Sequence, residues 1–312
     1  MPAKQPFDDF RFLLDNLPAM DREKAERVRS GMADGIDASE TLLDLAGWLA
    51  GWTSAKLAVM RPTIAIFAGN HGVAARMPGD GTEATTAQMA EHCMSGGAPV
   101  GRICAAAGFG LKVFDLALDL PTADITRAAA MDERTCAATM AFGMEAIVGG
   151  ADLVCLSDLG VGGEIAASAV AAAIFGEAAG AASADAGKGL VTEALAFHTG
   201  RLGEPFEVLR RLGGRELAAA AGAILAARME RIPVILDGYA TTAAAAVLHA
   251  LNPDALDHCR IACLSGLPGH ERLAMHLGLR PILAGEYAGG AAGGALAVSV
   301  ARAAAPLAEV LR

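Results

Sequence analysis

Five short apolar runs, each followed by a stretch of helical character, constrain this chain more than any other feature. They fall at 63–68, 112–118, 153–156, 232–236 and 261–264. Strands that are apolar without alternation are covered on both faces, and strands that alternate with helices make a mostly parallel sheet between helical layers. The expected fold is therefore α/β. Ligands bound by such sheets sit beyond the carboxyl ends of the strands. Those ends read Gly69-Asn70-His71-Gly72, Ser157-Asp158-Leu159-Gly160-Val161-Gly162-Gly163-Glu164, Asp237-Gly238 and Ser265-Gly266-Leu267-Pro268-Gly269-His270. Packing alone does not require polar and glycine-rich residues to gather at one end of four strands.

The first 60 residues lack this rhythm and read as helices over 8–17, 21–32 and 39–52, with Ser39 as a cap for the third. A length of 312 residues suits one main domain with a small helical appendage. The expected division is a helical segment at 1–60 and an α/β domain at 61–312. The Gly/Ala-rich stretch 284–294 reads as a loop entering a last helix, 294–311, which can pack with the N-terminal helices.

Alanine is the largest single contributor to the 54% hydrophobic content, and aromatic residues make up only 4%, which favours close helix packing over membrane insertion. The best apolar run, 166–175, is bracketed by Glu164 and Glu177 and falls far short of the roughly 20 residues a bilayer demands. No secretory signal is visible in MPAKQPFDDF, so a cytoplasmic location is expected. The 6 cysteines are scattered and expected to be reduced. Cys259 and Cys263, beside His258, approach ligand spacing, but Cys263 stands in an apolar run and reads as a buried hydrophobe. A net charge of −10 without a Lys/Arg run makes nucleic acid an unsuitable partner.

Gly160-Val161-Gly162-Gly163 lies between a strand and an Ala-rich helix. Glycines allow close approach of backbone to ligand, and the free N–H groups of a helix start favour phosphate. A tight turn that needs positive φ is the competing reading. The loop is neither a Walker motif nor a full Gly-x-Gly-x-x-Gly fingerprint. Lys188 follows that helix and is either a return contact to the same phosphate or a solvated lysine. Asn70 and His71 stand at a strand tip, where a histidine can donate, accept or shuttle a proton, or be a satisfied loop residue. Asp237 ends a buried strand and must be paired, solvated or bound to ligand hydroxyls, for which a ribose is the natural candidate.

Phe67-Ala68-Gly69-Asn70-His71-Gly72-Val73-Ala74, Thr86-Ala87-Gln88-Met89, Ser95-Gly96-Gly97-Ala98, Gly160-Val161-Gly162 with Ala166-Ala167-Ser168, 231–238 (Arg-Ile-Pro-Val-Ile-Leu-Asp-Gly) and 276–281 (His-Leu-Gly-Leu-Arg-Pro) occur in order along the chain. In this order they resemble the nicotinate-nucleotide–dimethylbenzimidazole phosphoribosyltransferase (CobT) family over nearly the whole length. The resemblance implies a Rossmann-like three-layer sandwich with a small helical domain, a homodimer, and no metal or other cofactor. It also implies transfer of 5-phosphoribose from nicotinate mononucleotide to a benzimidazole, giving α-ribazole phosphate and nicotinate for the lower ligand of cobamides. On this likeness the nucleotide and its phosphate are expected at Gly160, Val161, Gly162, Gly163, Lys188, Asp237, Gly238 and Ser265. The aromatic base is expected at Asn70, His71, Gln88, Met89 and Leu159.

Several motif positions depart from the family. Its Gly-Glu-Gly-Thr-Gly-Ala motif, which carries the proton-accepting glutamate, aligns so that Gly290 stands at the glutamate, with Glu286 nearby. Its Gly-Glu-Met-Gly-Ile-Gly-Asn-Thr-Thr becomes 157–165, so that Asp158 replaces a glutamate and Glu164 adds a negative charge at the helix start. The family's Gly-Asp-His-Gly is Gly69-Asn70-His71-Gly72, and 81–85 lacks its usual proline. Asp158 and Glu286 are the carboxylates left as candidate catalytic bases. Two activities stay open: a transferase using one of them, or a weak or inactive paralogue that binds a nucleotide or aromatic base in a regulatory or partner-subunit role.

Overall fold

The computed structural model describes residues 5–33, 40–53, 59–77, 85–176, 185–285 and 290–309. In chain order the elements are α1 (Asp8–Asp15), α2 (Arg22–Ala33), α3 (Glu40–Trp52), β1 (Pro62–Ala68), α4 (Thr86–Met94), α5 (Pro99–Ala107), β2 (Gly110–Asp115), α6 (Glu133–Gly143), β3 (Leu153–Leu159), α7 (Gly163–Phe175), α8 (Asp185–Phe197), α9 (Pro205–Leu212), α10 (Arg215–Met229), β4 (Val234–Asp237), α11 (Tyr239–Leu251), β5 (Cys259–Ile261), α12 (Pro268–His276) and α13 (Ala292–Ala304).

The described strands form one parallel five-stranded sheet in the order β2-β1-β3-β4-β5. The fold is the expected α/β type, with each expected strand present and its bounds adjusted. β3 runs on through Ser157 and Asp158 to Leu159, because β1 and β4 on either side supply backbone partners: Asp158 is in register with Phe67, and Ser157 with Asp237. The two polar residues therefore belong to the strand and not to the loop after it. The last α-helix stops at Ala304 and continues as a 3-10 turn over Ala305–Glu309, since Pro306 has no N–H to donate.

Alternation along the strands sorts the core into two layers. Ala65, Phe67, Val154, Leu156, Val234 and Leu236 face the cluster shared with α7, α10 and α11. Ile64, Ile66, Cys155, Leu159 and Ile235 face the other, shared with α3, α4, α5 and α13. The N-terminal segment contributes to both: Phe7 stacks on Phe206 at 4.9 Å under the first layer, while Trp48, Leu49 and Trp52 enter the second. Burying a side chain such as Leu49 stabilises by about 1.5–3 kcal/mol. Among the described residues, no helix is long and apolar enough to cross a membrane.

The chain passes from β1 to β2 on one side and then to β3 on the other. The sheet order thus reverses between β1 and β3, the position at which open α/β sheets carry a ligand crevice.

Candidate active site

The period of two along β3 sends Asp158 toward α7 and α10, and Ser157 toward α13. On β4 the same alternation aims Asp237 toward α13. The Ser157 hydroxyl and the Gly294 amide both donate to the Asp237 carboxylate. Gly294 is what allows α13 so close: a Cβ there would lie 2.5 Å from Cys155 Sγ and 2.8 Å from Asp237 Oδ2. Burial pushes Asp237 up to about 6, against the pull of those two donors. Its carboxylate thus anchors the last helix and also borders the cavity, where a ribose contact was expected.

Beyond the strand ends lies a cavity of about 310 Å³ lined by Ser157, Asp158, Glu164, Asp237, Gly238, Tyr239, Ala240, Cys263, Ser265, Leu267, Gly290 and Ala291. Its charged lining is entirely acidic among the described residues. Asp158 is half-buried at its wall, desolvated yet open to the cavity. Burial, then the charges of Glu216 and Asp237, raise Asp158 to about 7. A carboxylate in that range takes up and releases a proton at neutral pH. Gly238, with φ of 110°, keeps the β4 turn clear: a Cβ there would meet Asp158 Oδ1 at 3.0 Å.

The rim at Ser265 is braced by a histidine. Thr242 Oγ1 donates to the Gly238 carbonyl at 2.8 Å, so at the 3.0 Å contact with His270 it can only accept, and His270 Nε2 carries the hydrogen. His270 Nδ1 then accepts from the Ser265 amide at 3.1 Å. Burial holds this imidazole neutral, with its pKa lowered to about 4. The ring also stacks at 5.7 Å on Tyr239, another cavity residue.

On the other side of Asp158, His71 Nε2 donates to Glu216 Oε1 at 2.6 Å, and both side chains are 0% exposed. Burial alone would lower the imidazole's pKa; the Glu216 charge and this hydrogen bond outweigh it and hold His71 above its ordinary value. Glu216 enters from the first turn of α10, directly after Gly213 and Gly214.

In the loop where phosphate is expected, 160–163, two amides have partners within the protein. The Val161 amide donates to Thr86 Oγ1 at 3.1 Å, and the Gly163 amide to the Gly160 carbonyl at 3.0 Å. The glycines also lie close to a histidine: a Cβ on Gly162 would sit 3.0 Å from His71 Cβ, and one on Gly160 would sit 3.4 Å from His71 Nε2. Lys188 stands exposed on α8 and is not among the residues that line the cavity. The residues expected to bind the base have the following neighbours within the protein. Asn70 donates to the Leu118 carbonyl at 2.7 Å. Gln88 closes a capping box with Thr85, while Met89 and Leu159 pack in the layer shared with α3 and α13. None of these lines the cavity, and neither does His71. Asp158, Asp237, Gly238 and Ser265 do come together there, whereas Glu286 lies outside the described residues.

Sequence reasoning missed Glu216, whose signal was an acid after two glycines at the head of an otherwise Ala- and Leu-rich helix. It also missed Tyr239, and gave His270, the last residue of the strand-end run 265–270, no role of its own. His258 Nε2 donates to the Ile224 carbonyl at 3.0 Å beside buried Cys259, Cys263 is buried in the other core layer, and no group suited to a metal ion occurs among the described residues.

Comparison with known proteins agrees with this architecture. A family model described as "Phosphoribosyltransferase" matches residues 17–311. A nicotinate-nucleotide–dimethylbenzimidazole phosphoribosyltransferase of Brucella anthropi is 50% identical, with the alignment covering 96% of this chain and 93% of the relative. The protein of the same name in Rhizobium johnstonii is 51% identical, with the same coverage. The crystal structure of CobT from Thermus thermophilus superposes with a TM-score of 0.81 at 29% identity, covering 92% of this chain and 96% of that one.

Proposed function

The chain belongs to the nicotinate-nucleotide–dimethylbenzimidazole phosphoribosyltransferase family, and from that premise we propose that Asp158 is the proton acceptor when it transfers 5-phosphoribose from nicotinate mononucleotide to dimethylbenzimidazole or a related base. In that step a ring nitrogen of the base bonds the anomeric carbon as the bond from that carbon to the nicotinate nitrogen breaks. The bonding pair returns to the departing pyridinium and neutralises it. The N–H proton of the benzimidazole passes to the Asp158 carboxylate.

The observation that carries this reading is the acid-lined cavity at the strand ends, with Asp158 at its wall and poised near neutrality. Reaction at an anomeric carbon develops positive charge on the sugar ring. Fixed carboxylates stabilise that charge where water is excluded. The same lining repels phosphate, so the proposal seats the ribosyl group and the base in the cavity and the phosphate outside it. Gly290 lines the cavity too. On the resemblance of the sequence motifs this is the position of the family's glutamate, and with glycine there the proposal assigns the proton to Asp158, a described carboxylate of the cavity. The proposed setting is a soluble, metal-independent homodimer in the cytoplasm acting on small molecules, in cobamide lower-ligand synthesis.

The test is incubation of the purified protein with nicotinate mononucleotide and dimethylbenzimidazole, following α-ribazole phosphate. Turnover that drops about 10²–10⁴-fold in Asp158→Asn, with substrates still bound, supports the assignment. Full turnover in that variant rejects it. The glycine at 290 favours one second reading, a binding paralogue, which predicts nucleotide binding without product in the native protein.

A further inference from the structure

We propose that the buried His71–Glu216 pair is a positioning unit for Asp158, a carboxylate and its counter-charge locked behind the group that accepts the proton. The inference rests on the assignment of Asp158 made above and adds two residues that touch no ligand. Both side chains are fully enclosed, so neither reaches into the cavity.

Three observations converge on the pair. The first is how it is housed. A Cβ on Gly69 would lie 2.4 Å from Glu216 Oε2, and one on Gly214 would lie 2.3 Å from His71 Cε1 and 2.6 Å from each Glu216 oxygen. The backbone from β1, from the turn before α7 and from the head of α10 has closed around the imidazole and carboxylate, leaving no space for other side chains. The second is the shared focus with Asp158. The point where a Cβ on Gly163 would stand is 3.6 Å from His71 Nε2, 3.7 Å from Glu216 Oε1 and 4.0 Å from Asp158 Oδ2. The two carboxylates thus flank the first residue of α7, at the crevice between β1 and β3. The third is incomplete satisfaction: Glu216 Oε2 and His71 Nδ1 are buried without a hydrogen-bond partner among the described residues. A pair kept for stability alone is poorly explained when each member leaves a polar atom uncompensated, because apolar side chains of similar volume would cost less.

The electrostatic consequence follows from who faces whom. Asp158 is faced by Glu216 from α10, by Asp237 from β4 and by His71 after β1, and it shares the cavity with Glu164. His71 is faced in turn by Glu216, Asp158 and, with opposite sign, Arg215. The Glu216 charge outweighs that of His71 at Asp158. The pair therefore favours the protonated carboxyl and brings its titration toward neutrality.

The experiment compares pH–rate profiles of the full-length protein, with nicotinate mononucleotide and dimethylbenzimidazole, for native, Asp158→Asn, Glu216→Gln, His71→Gln and His71→Gln/Glu216→Gln forms. In Glu216→Gln the acid limb of kcat should move to lower pH by about one unit. kcat should fall about 10- to 100-fold while KM for both substrates stays within about twofold, and the double variant should lose no more than the worse single one. An unmoved limb in Glu216→Gln, or additive losses, overturns the inference. Asp158→Asn separates this failure from that of the underlying assignment. If Asp158→Asn keeps the limb and the rate, the assignment of Asp158 is wrong; if it abolishes them while Glu216→Gln leaves the limb in place, the positioning role alone is wrong.

Should the buried variants not fold, labelled-histidine NMR of native protein and Asp158→Asn reads the coupling directly. His71 should hold its imidazolium form above pH 6.5, its ordinary value, and titrate at lower pH in Asp158→Asn, since linkage is reciprocal. An identical His71 titration in the two proteins overturns the proposal.

Discussion

The amide of Gly294 donates to the carboxylate of Asp237, tying the first turn of α13 to the tip of β4 at the edge of the cavity. An acid at a helix start offsets the positive end of the helix and satisfies a donor that would otherwise be orphaned. The contact depends on the absence of a side chain at 294.

Gly294→Ala is expected to destabilise the protein by about 1–3 kcal/mol, because the new methyl would press on Cys155 Sγ and Asp237 Oδ2 in a filled interior. Gly189→Ala in α8, where a Cβ meets nothing within 4 Å, is the matched control. It should be neutral or stabilise by up to about 1 kcal/mol through helix propensity. Urea titrations of the two variants decide it, and equal midpoints would contradict the packing argument.

Asp158 should weaken the fold at the pH where it is useful. Its folded pKa of about 7 stands above the ordinary 3.8, so folding favours the protonated form. That contribution is fully present below the unfolded value, declines as pH rises from about 4 to 7, and is gone above it. Asp158→Asn should therefore be more stable than native protein at pH 8, by on the order of 4 kcal/mol, with the difference vanishing near pH 4. Denaturation at the two pH values measures the crossover, and a gain that persists undiminished at pH 4 would point to packing instead of charge.

The buried neutral histidines act in the opposite pH direction. His270 is lowered to about 4 and His258 to about 3, both chiefly by burial. A depressed histidine withholds a proton that the unfolded chain binds, so stability should fall as pH drops from 6.5 toward those values. His270→Gln should flatten part of that acid loss. It should also raise KM, because the Ser265 amide and Thr242 lose their shared brace; a KM unchanged within error would detach Ser265 from ligand binding.

Gly214→Ala puts a methyl where the His71 ring and Glu216 carboxylate already stand. Activity should drop more than the roughly 1–3 kcal/mol loss of stability would account for at a temperature where the variant remains folded. Circular dichroism melts run beside turnover assays separate the two losses, and parallel declines would reduce the effect to folding alone.

The periodicities of the chain determined its layers. Five apolar runs required a covered parallel sheet, and the polar residues after β1, β3, β4 and β5 located the crevice at one edge, because both follow from which side chains must leave water. That Asp158, Asp237, Gly238 and Ser265 gather at one end of the sheet was legible for that reason. Their roles were not. The tip of β3 reads as a phosphate loop when taken alone, since glycine is equally suited to receiving a ligand and to receiving a neighbouring side chain. Only the tertiary structure placed His71 in that space. Glu216 lies 145 residues from His71 in the chain yet 2.6 Å from it in space. Linear pattern carries no record of that separation, because the contact is created by β1 and α10 being brought together over the same sheet. Likewise, Asp237 ends its strand as a ligand residue would, and only the close approach of α13 at Gly294 adds its role as an anchor. Residue type and spacing specify which groups are buried; which buried groups meet, and so which of them can share a proton, is decided by packing.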